Sequence, residues 1–189
     1  MVNDQENQKQ RAVTWFKTLR DKICKVCEII EDEHKGPFSE QPPGRFEKTT
    51  WQRPDKNDDG GGGEMSIMYG RVFEKIGVNI STVKGTFSEE FRQQIREATK
   101  DGEFWAAGIS LVAHPQSPLV PAVHMNTRHI ITSKGWFGGG ADLTPVYPNN
   151  EDTLIFHSSL RDVCDSYGED YYERFKKWCD QFFYLPHRE

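Results

Sequence analysis

The sequence predicts an α+β domain built around a mainly antiparallel β-sheet. Apolar residues recur at helical spacing near both ends of the chain, and several short segments rich in β-branched and aromatic residues lie between those ends. The sequence lacks the regular alternation of strands and helices that would indicate a parallel sheet. The length of 189 residues fits one such domain.

The first predicted element is an amphipathic helix over residues 10–33, because apolar residues follow one another every three or four positions there. Gly36 and Pro37 end it. The next segment, residues 39–64, is rich in proline and glycine. It therefore predicts a loop with at most a short strand at 46–51.

The middle of the chain predicts four more strands and one helix. The helix begins at the capping-box pattern Thr86 to Glu89 and ends near Gly102. The strands are predicted from short β-rich segments at 65–69, 78–84, 104–113 and 121–132.

The last third of the chain predicts one loop, one short strand and two helices. Residues 136–148 are glycine-rich and contain prolines, so we expect an ordered loop. Residues 153–157 predict a brief strand, and a helix capped at Ser158 or Ser159 should follow. Residues 170–183 predict a final helix with aromatic side chains along one side.

Charge and composition exclude several classes of protein. The formal net charge is −5, which argues against a general nucleic-acid-binding protein. No apolar run is long enough to span a membrane, and neither a secretory signal nor a transit peptide is recognisable. We therefore expect the protein to be located in the cytoplasm. A reducing compartment argues against disulfides. We expect Cys24 and Cys27, a lone CxxC, to be buried thiols.

One predicted pair of strands carries an unusual set of polar side chains. The turn between the two strands, residues 115–120, is too short for a helical crossover, so the strands should be antiparallel neighbours. Side chains alternate between faces along a strand. One face should therefore carry five polar residues: Ser110, His114, His124, Asn126 and Arg128.

Two interpretations of this face remain open. An amphipathic hairpin exposes alternating polar residues to solvent in many proteins, which is the simplest explanation. Solvent faces, however, favour Lys, Glu and Thr, whereas histidine, asparagine, serine and arginine form directional hydrogen bonds. A pocket for a carboxylate ligand, with Arg128 as its anchor and a histidine for proton transfer, is the functional interpretation.

Other motifs give weaker indications. The glycine runs 60–63 and 138–140 lack phosphate-binding motifs, but Trp51 and Arg53 precede the first and Asp142 follows the second. These residues could offer a ring or a charge to a flat ligand. No HExxH motif or facial-triad spacing is present, so any histidine metal site would depend on tertiary approach.

Several blocks of the sequence together resemble the oxygen-dependent coproporphyrinogen III oxidase family, from about Phe16 to the last residue. The blocks are Trp51-Gln52-Arg53, Gly60 to Gly63 with Ser66, Val78 to Ser81, Gly108 to Pro115, His124 to Arg128, Trp136 to Pro145 and Lys177 to Glu189.

The resemblance implies an activity and a fold. Members of the family convert coproporphyrinogen III to protoporphyrinogen IX in haem biosynthesis by oxidative decarboxylation of two propionates, with dioxygen as co-substrate. The implied fold is a large, flat antiparallel sheet flanked by helices on both faces, in a homodimer. Most accounts of the family describe the reaction as free of metal and of organic cofactor.

The resemblance also implies roles for individual residues. His124 matches the position of the proton donor. The substrate-binding positions are matched by Ser110, Asn126, Thr127 and Arg128. The positions proposed as metal ligands in bacterial members are matched by His114, His124, His157 and His187.

The family pattern continues beyond Glu189, so we expect residues 1–189 to be the N-terminal part of a single coproporphyrinogen oxidase domain. This expectation leaves a second function open, a non-catalytic chain that binds the porphyrinogen. A non-haem iron oxygenase is the third possibility, and the absence of a His-x-Asp/Glu motif argues against it.

Overall fold

The structure, a computed structural model, describes residues 2–54, 60–93 and 101–188. Six strands form one antiparallel sheet in which each strand is hydrogen-bonded to its neighbours in sequence. They are β1 (Glu47–Gln52), β2 (Gly61–Met68), β3 (Phe73–Thr86), β4 (Glu103–Pro115), β5 (Ala122–Ile131) and β6 (Gly135–Thr144). The helices are α1 (Val2–Glu33), α2 (Glu89–Arg92), α3 (Asn150–Asp165) and α4 (Tyr171–Phe183), and a 3-10 turn spans Pro186–Arg188. The predicted α+β class is confirmed.

Helix α1 covers one face of the sheet and forms the core with it. Phe16 is buried in a cluster that includes Val78 of β3 and Ile109 of β4. Cys24 and Cys27 are also buried in this cluster, and burial raises the pKa of each thiol to about 11. The expectation of buried thiols is confirmed. The helix begins at Val2, several residues before the predicted start, because polar residues continue it beyond its apolar face.

Helix α4 lies against the opposite face, close to β6. A Cβ atom built on Gly140 would lie 3.7 Å from Sγ of Cys179. Gly140 is paired with Asn126, which is paired with Ser110, and directly paired residues share a face. Ser110 is next to the buried Ile109, so this is the face away from α1. The predicted helices on both faces of the sheet are confirmed.

The loop predicted at 136–148 is wrong over most of its length, because Gly135–Thr144 form strand β6. Its glycines permit close packing of the strand against β5. A Cβ atom on Gly139 would lie 2.3 Å from the carbonyl oxygen of Asn126 and 2.9 Å from Cα of Thr127. The loop predicted at 39–64 is wrong in the same way at its end, since Gly61 already begins β2. Glycine is a poor strand former in general, but tertiary pairing overrides that preference here.

Replacing Gly139 with alanine is expected to destabilise the protein by roughly 1–3 kcal/mol, because backbone atoms of β5 occupy the position of the new methyl group. The measurement is urea unfolding followed by circular dichroism. Gly138→Ala is the matched control, since a Cβ atom there meets nothing within 4 Å. Equal unfolding midpoints for the two variants would show that the close contact at Gly139 has no energetic consequence.

The strand predicted at 153–157 is also wrong, because the segment lies inside helix α3. The side chain of Asn149 caps this helix by accepting a hydrogen bond from the backbone N–H of Glu151 at 2.8 Å. Ser158 and Ser159, the predicted caps, instead lie within the helix and donate to the carbonyl oxygen of Ile155. Leu, Ile and Phe side chains suggested a strand here, whereas the cap and the acidic first turn determine a helix.

The remaining predicted elements are confirmed with shifted ends. Strands predicted at 46–51, 65–69, 78–84, 104–113 and 121–132 correspond to β1 to β5. The helix predicted from 170 to 183 is α4. Of the helix predicted to end near Gly102, only α2 is described, and residues 94–100 lie outside the described residues. In the part of the chain that the structure covers, no helix is long and apolar enough to cross a membrane.

The C-terminal end of α1 is joined to two loops by a buried carboxylate. Glu31 is fully buried, and its carboxylate accepts hydrogen bonds from the backbone N–H groups of Gly44, Arg71, Val72 and Phe73 at 2.9–3.0 Å. The Arg71 guanidinium in turn donates to backbone carbonyls, including that of Glu31. These bonds hold the loops before β1 and β3 against the helix.

Candidate active site

Strands β4 and β5 form the predicted antiparallel pair, and their register brings most of the polar face together. Ser110 is directly opposite Asn126, Gly108 is opposite Arg128, and Val112 is opposite His124. Ser110, His124, Asn126 and Arg128 therefore lie on one face, the face away from α1. We define these four residues, together with Asp142 of β6, as the polar patch.

His124 is paired with an acidic residue that the sequence did not assign to it. Asp142 is opposite His124 in the β5–β6 register, and its Oδ1 lies 2.9 Å from Nδ1 of His124. A carboxylate only accepts, so Nδ1 carries the hydrogen and Nε2 is left for exchange with a ligand. Thr144 donates to the other oxygen of Asp142 at 3.1 Å. The predicted loop at 136–148 concealed this pair; the alternation Gly140, Asp142, Thr144 was the signal for a strand.

Arg128 and Asn126 form a second unit on the patch. Nη2 of Arg128 donates to Oδ1 of Asn126 at 2.6 Å, and the arginine side chain is exposed. The amide oxygen of Asn126 thus orients the guanidinium of Arg128. Most of the N–H donors of that guanidinium are left for a ligand. A guanidinium held in this way can accept a carboxylate in a bidentate arrangement.

The space around these residues is kept open by glycine. Arg128 is directly opposite Gly108 of β4 on one side and Gly138 of β6 on the other. Asn126 is directly opposite Gly140 of β6. A Cβ atom on Gly138 would meet nothing within 4 Å. On the side of α4, the ring of Phe183 stands edge-on to His124, with 6.3 Å between ring centroids. The patch is therefore a shallow floor with an aromatic wall next to the histidine.

Two further predicted site residues, Thr127 and His114, differ in the face that they occupy. Thr127 is opposite Ile109, a buried residue of the α1 face, so its side chain points away from the patch. His114 shares the face of the patch and is exposed; it lies two residues beyond Val112, the direct partner of His124, and is therefore a diagonal neighbour of His124 at roughly 7–8 Å.

The four histidines predicted as metal ligands are not brought together. Nδ1 of His157 lies 3.0 Å from the hydroxyl oxygen of Tyr172 in α4, and His187 is exposed in the 3-10 turn. Within residues 2–54, 60–93 and 101–188, no group of three or more His, Cys, Asp or Glu side chains could hold a metal ion. The described donors therefore do not fit a metal centre, and we derive no chemical step through a metal.

A histidine–aspartate pair and an oriented arginine on one face of a sheet, with glycines on the neighbouring strands, define a class of protein. It is an α+β protein whose exposed sheet face has the groups to hold an anionic ligand and to exchange protons with it.

Comparison with known proteins identifies the family. Residues 11–189 match the family model described as coproporphyrinogen III oxidase, and the chain belongs to this family. The oxygen-dependent coproporphyrinogen-III oxidase of Rickettsia bellii (strain RML369-C) is 54% identical over 185 residues, which are 97% of this chain and 64% of the relative. That of Rickettsia rickettsii (strain Sheila Smith) is 54% identical over 181 residues, 96% of this chain and 63% of the relative. The chain thus spans just under two thirds of the length of these curated relatives.

Proposed function

We propose that this protein acts in the oxygen-dependent oxidative decarboxylation of two propionates of coproporphyrinogen III, which gives protoporphyrinogen IX in haem biosynthesis. The observation that carries the proposal is that the His124–Asp142 pair and Arg128 share one open face of the sheet. The family membership and the names of the relatives support the substrate and the oxidant.

Each of the two decarboxylations transfers two electrons from a propionate side chain to one dioxygen. A propionate loses its carboxylate carbon as carbon dioxide and one β-hydrogen, and a vinyl group remains. The two electrons released reduce one dioxygen, which takes up the lost hydrogen and one further proton to become hydrogen peroxide. The protein therefore has to bind the carboxylate, move protons and admit oxygen.

The patch residues divide these tasks. Arg128, with Asn126 and Ser110, fixes a propionate by charge-assisted hydrogen bonds. His124 exchanges a proton through Nε2 with the pyrrole nitrogen or the reacting side chain. Asp142 orients the ring by accepting the hydrogen of Nδ1, which leaves Nε2 for the substrate. The short residues Gly108, Gly138 and Gly140 leave room for the macrocycle.

The remaining parts of the proposal concern cofactor, assembly and location. We propose that dioxygen is the only co-substrate, that no organic cofactor takes part, and that a divalent metal is not required. We also propose a homodimer in the cytoplasm, with residues 1–189 as the N-terminal part of a single domain. The word "oxygen-dependent" in the names of the relatives supports dioxygen as a co-substrate.

The test is an assay of the purified chain with coproporphyrinogen III in air-saturated buffer and, as a control, without oxygen. Oxygen uptake, hydrogen peroxide and the porphyrin products are measured, before and after exhaustive chelation. We expect one hydrogen peroxide for each propionate lost, and therefore two for each molecule of the divinyl product, with chelation making no difference. Tight binding without turnover would support the alternative of a porphyrinogen-binding chain. Absence of both binding and turnover would exclude the proposal.

A further inference from the structure

The open face continues from the polar patch to the far edge of the sheet. Arg128 of β5 is opposite Gly108, Gly108 is opposite Ser81, and Ser81 is opposite Gly63. Gly63 is opposite Trp51 of β1. Each pair shares a face, so Trp51 faces the same side as Arg128.

Trp51 closes this floor at its far end. A Cβ atom on Gly63 would lie 2.8 and 2.9 Å from two ring atoms of Trp51, so the indole lies over the glycine. The side chains between the indole and Arg128 belong only to Ser81 and the glycines. Four strand spacings separate Trp51 from Arg128, which is roughly 19 Å between their backbones. An extended ligand can therefore lie between the two residues without steric obstruction from the row that joins them.

Arg53 supplies a positive charge beside Trp51. Its backbone N–H donates to the carbonyl oxygen of Gly61 at 2.8 Å, which extends the β1–β2 ladder and places Arg53 on the face of Trp51. The side chain is exposed, and no ion pair joins it to another of the described residues. The neighbouring residues along its row, Val83 and Ala106, are uncharged. The guanidinium is thus available to a ligand on this face.

We propose that Trp51 and Arg53 form a second anchor for the substrate, at the opposite end of the floor from Arg128. This inference rests on the proposed function. Coproporphyrinogen III carries four propionates around a broad macrocycle, so one carboxylate can contact Arg128 while another, on a different pyrrole, contacts Arg53. The indole contacts the apolar edge of the macrocycle between them. Two separated cations select a tetrapyrrole over smaller pyrrole carboxylates, which reach only one of them.

The test compares a tetrapyrrole with a shorter ligand. The dissociation constants of coproporphyrinogen III and of a dipyrromethane dipropionate are measured without oxygen for the unaltered chain and for Arg53→Gln, Trp51→Leu and Arg128→Gln. We expect Arg53→Gln to weaken binding of the tetrapyrrole about tenfold and that of the dipyrromethane less than twofold. Arg128→Gln should weaken both. Arg53→Lys should restore part of the affinity, because it keeps the charge.

Lys48→Gln is the matched control. It removes a positive charge from the same strand but from the opposite face, where Lys48 pairs with Asp21 at 3.0 Å. Unchanged tetrapyrrole binding in Arg53→Gln, with weakened binding in Arg128→Gln, would overturn the inference and leave the proposed function standing. Equal losses for both ligands in Arg53→Gln would also overturn it, as a general charge effect. No binding of coproporphyrinogen III by the unaltered chain would refute the proposed function itself.

Discussion

Replacing His124 with alanine is expected to lower kcat/KM for coproporphyrinogen III by about 10²- to 10⁴-fold, the usual contribution of a positioned general acid or base. The loss should appear mainly in kcat, because we propose proton transfer for His124 and binding of the carboxylate for Arg128. The histidine is 32% exposed, so its removal should leave the thermal midpoint close to that of the unaltered protein. Peroxide release and product analysis give the rates.

Companion variants separate proton transfer from simple positioning. Asp142→Asn keeps the size of the side chain but replaces a group that only accepts with an amide that can also donate, so the ring is no longer held in one tautomer and we expect kcat to fall. His34→Ala is the control, since His34 lies just after α1, outside the polar patch, and its ring forms a hydrogen bond with the carbonyl oxygen of Pro37. Unchanged kcat/KM in both His124→Ala and Arg128→Ala would refute the assigned roles.

Replacing Glu31 with glutamine is expected to destabilise the fold by several kcal/mol, because each buried backbone N–H left without an acceptor costs roughly 1–3 kcal/mol. The glutamine keeps one acceptor oxygen, but its NH2 group would face backbone N–H groups that now donate to the carboxylate. Urea unfolding of both proteins at neutral pH provides the measurement. Asp32→Asn is the control: its pair with Arg45 is exposed, and its loss should cost less than about 1 kcal/mol.

Lowering the pH should reproduce part of this loss of folding stability in the unaltered protein, because the Glu31 carboxylate becomes protonated. Burial raises the pKa of the Glu31 carboxyl, but four backbone N–H groups outweigh it, so that the pKa lies below the ordinary value of 4.5. A carboxyl with a lowered pKa in the folded state contributes stability that is complete above its unfolded pKa and is lost as the pH falls through its folded pKa. Between pH 6 and pH 3 the unaltered protein should therefore lose more stability than Glu31→Gln. Parallel pH profiles for the two proteins would contradict this role of the carboxylate.

The elements with a local cause were predicted from the sequence. Helix α1 and helix α4 follow from apolar residues at helical spacing, and β4 and β5 follow from β-rich segments with a connection too short for a crossover. Alternation along a strand is equally local, which is why Ser110, Asn126 and Arg128 could be assigned to one face before the register was known. The motifs also identified the family, because they are matched as contiguous blocks of sequence.

The fold class, the family and the polar face of β4 and β5 therefore follow from the sequence without the structure. That the glycine-rich segment at 135–144 is strand β6 follows only from the fold, because glycine is a poor strand former and pairing with β5 supplies the stabilisation. The same pairing places Asp142 beside His124 and directs Thr127 to the other face. It also aligns Trp51 with Arg128 across five strands. Such relations depend on register between distant segments, which is fixed by backbone hydrogen bonds and not by any local pattern of residues.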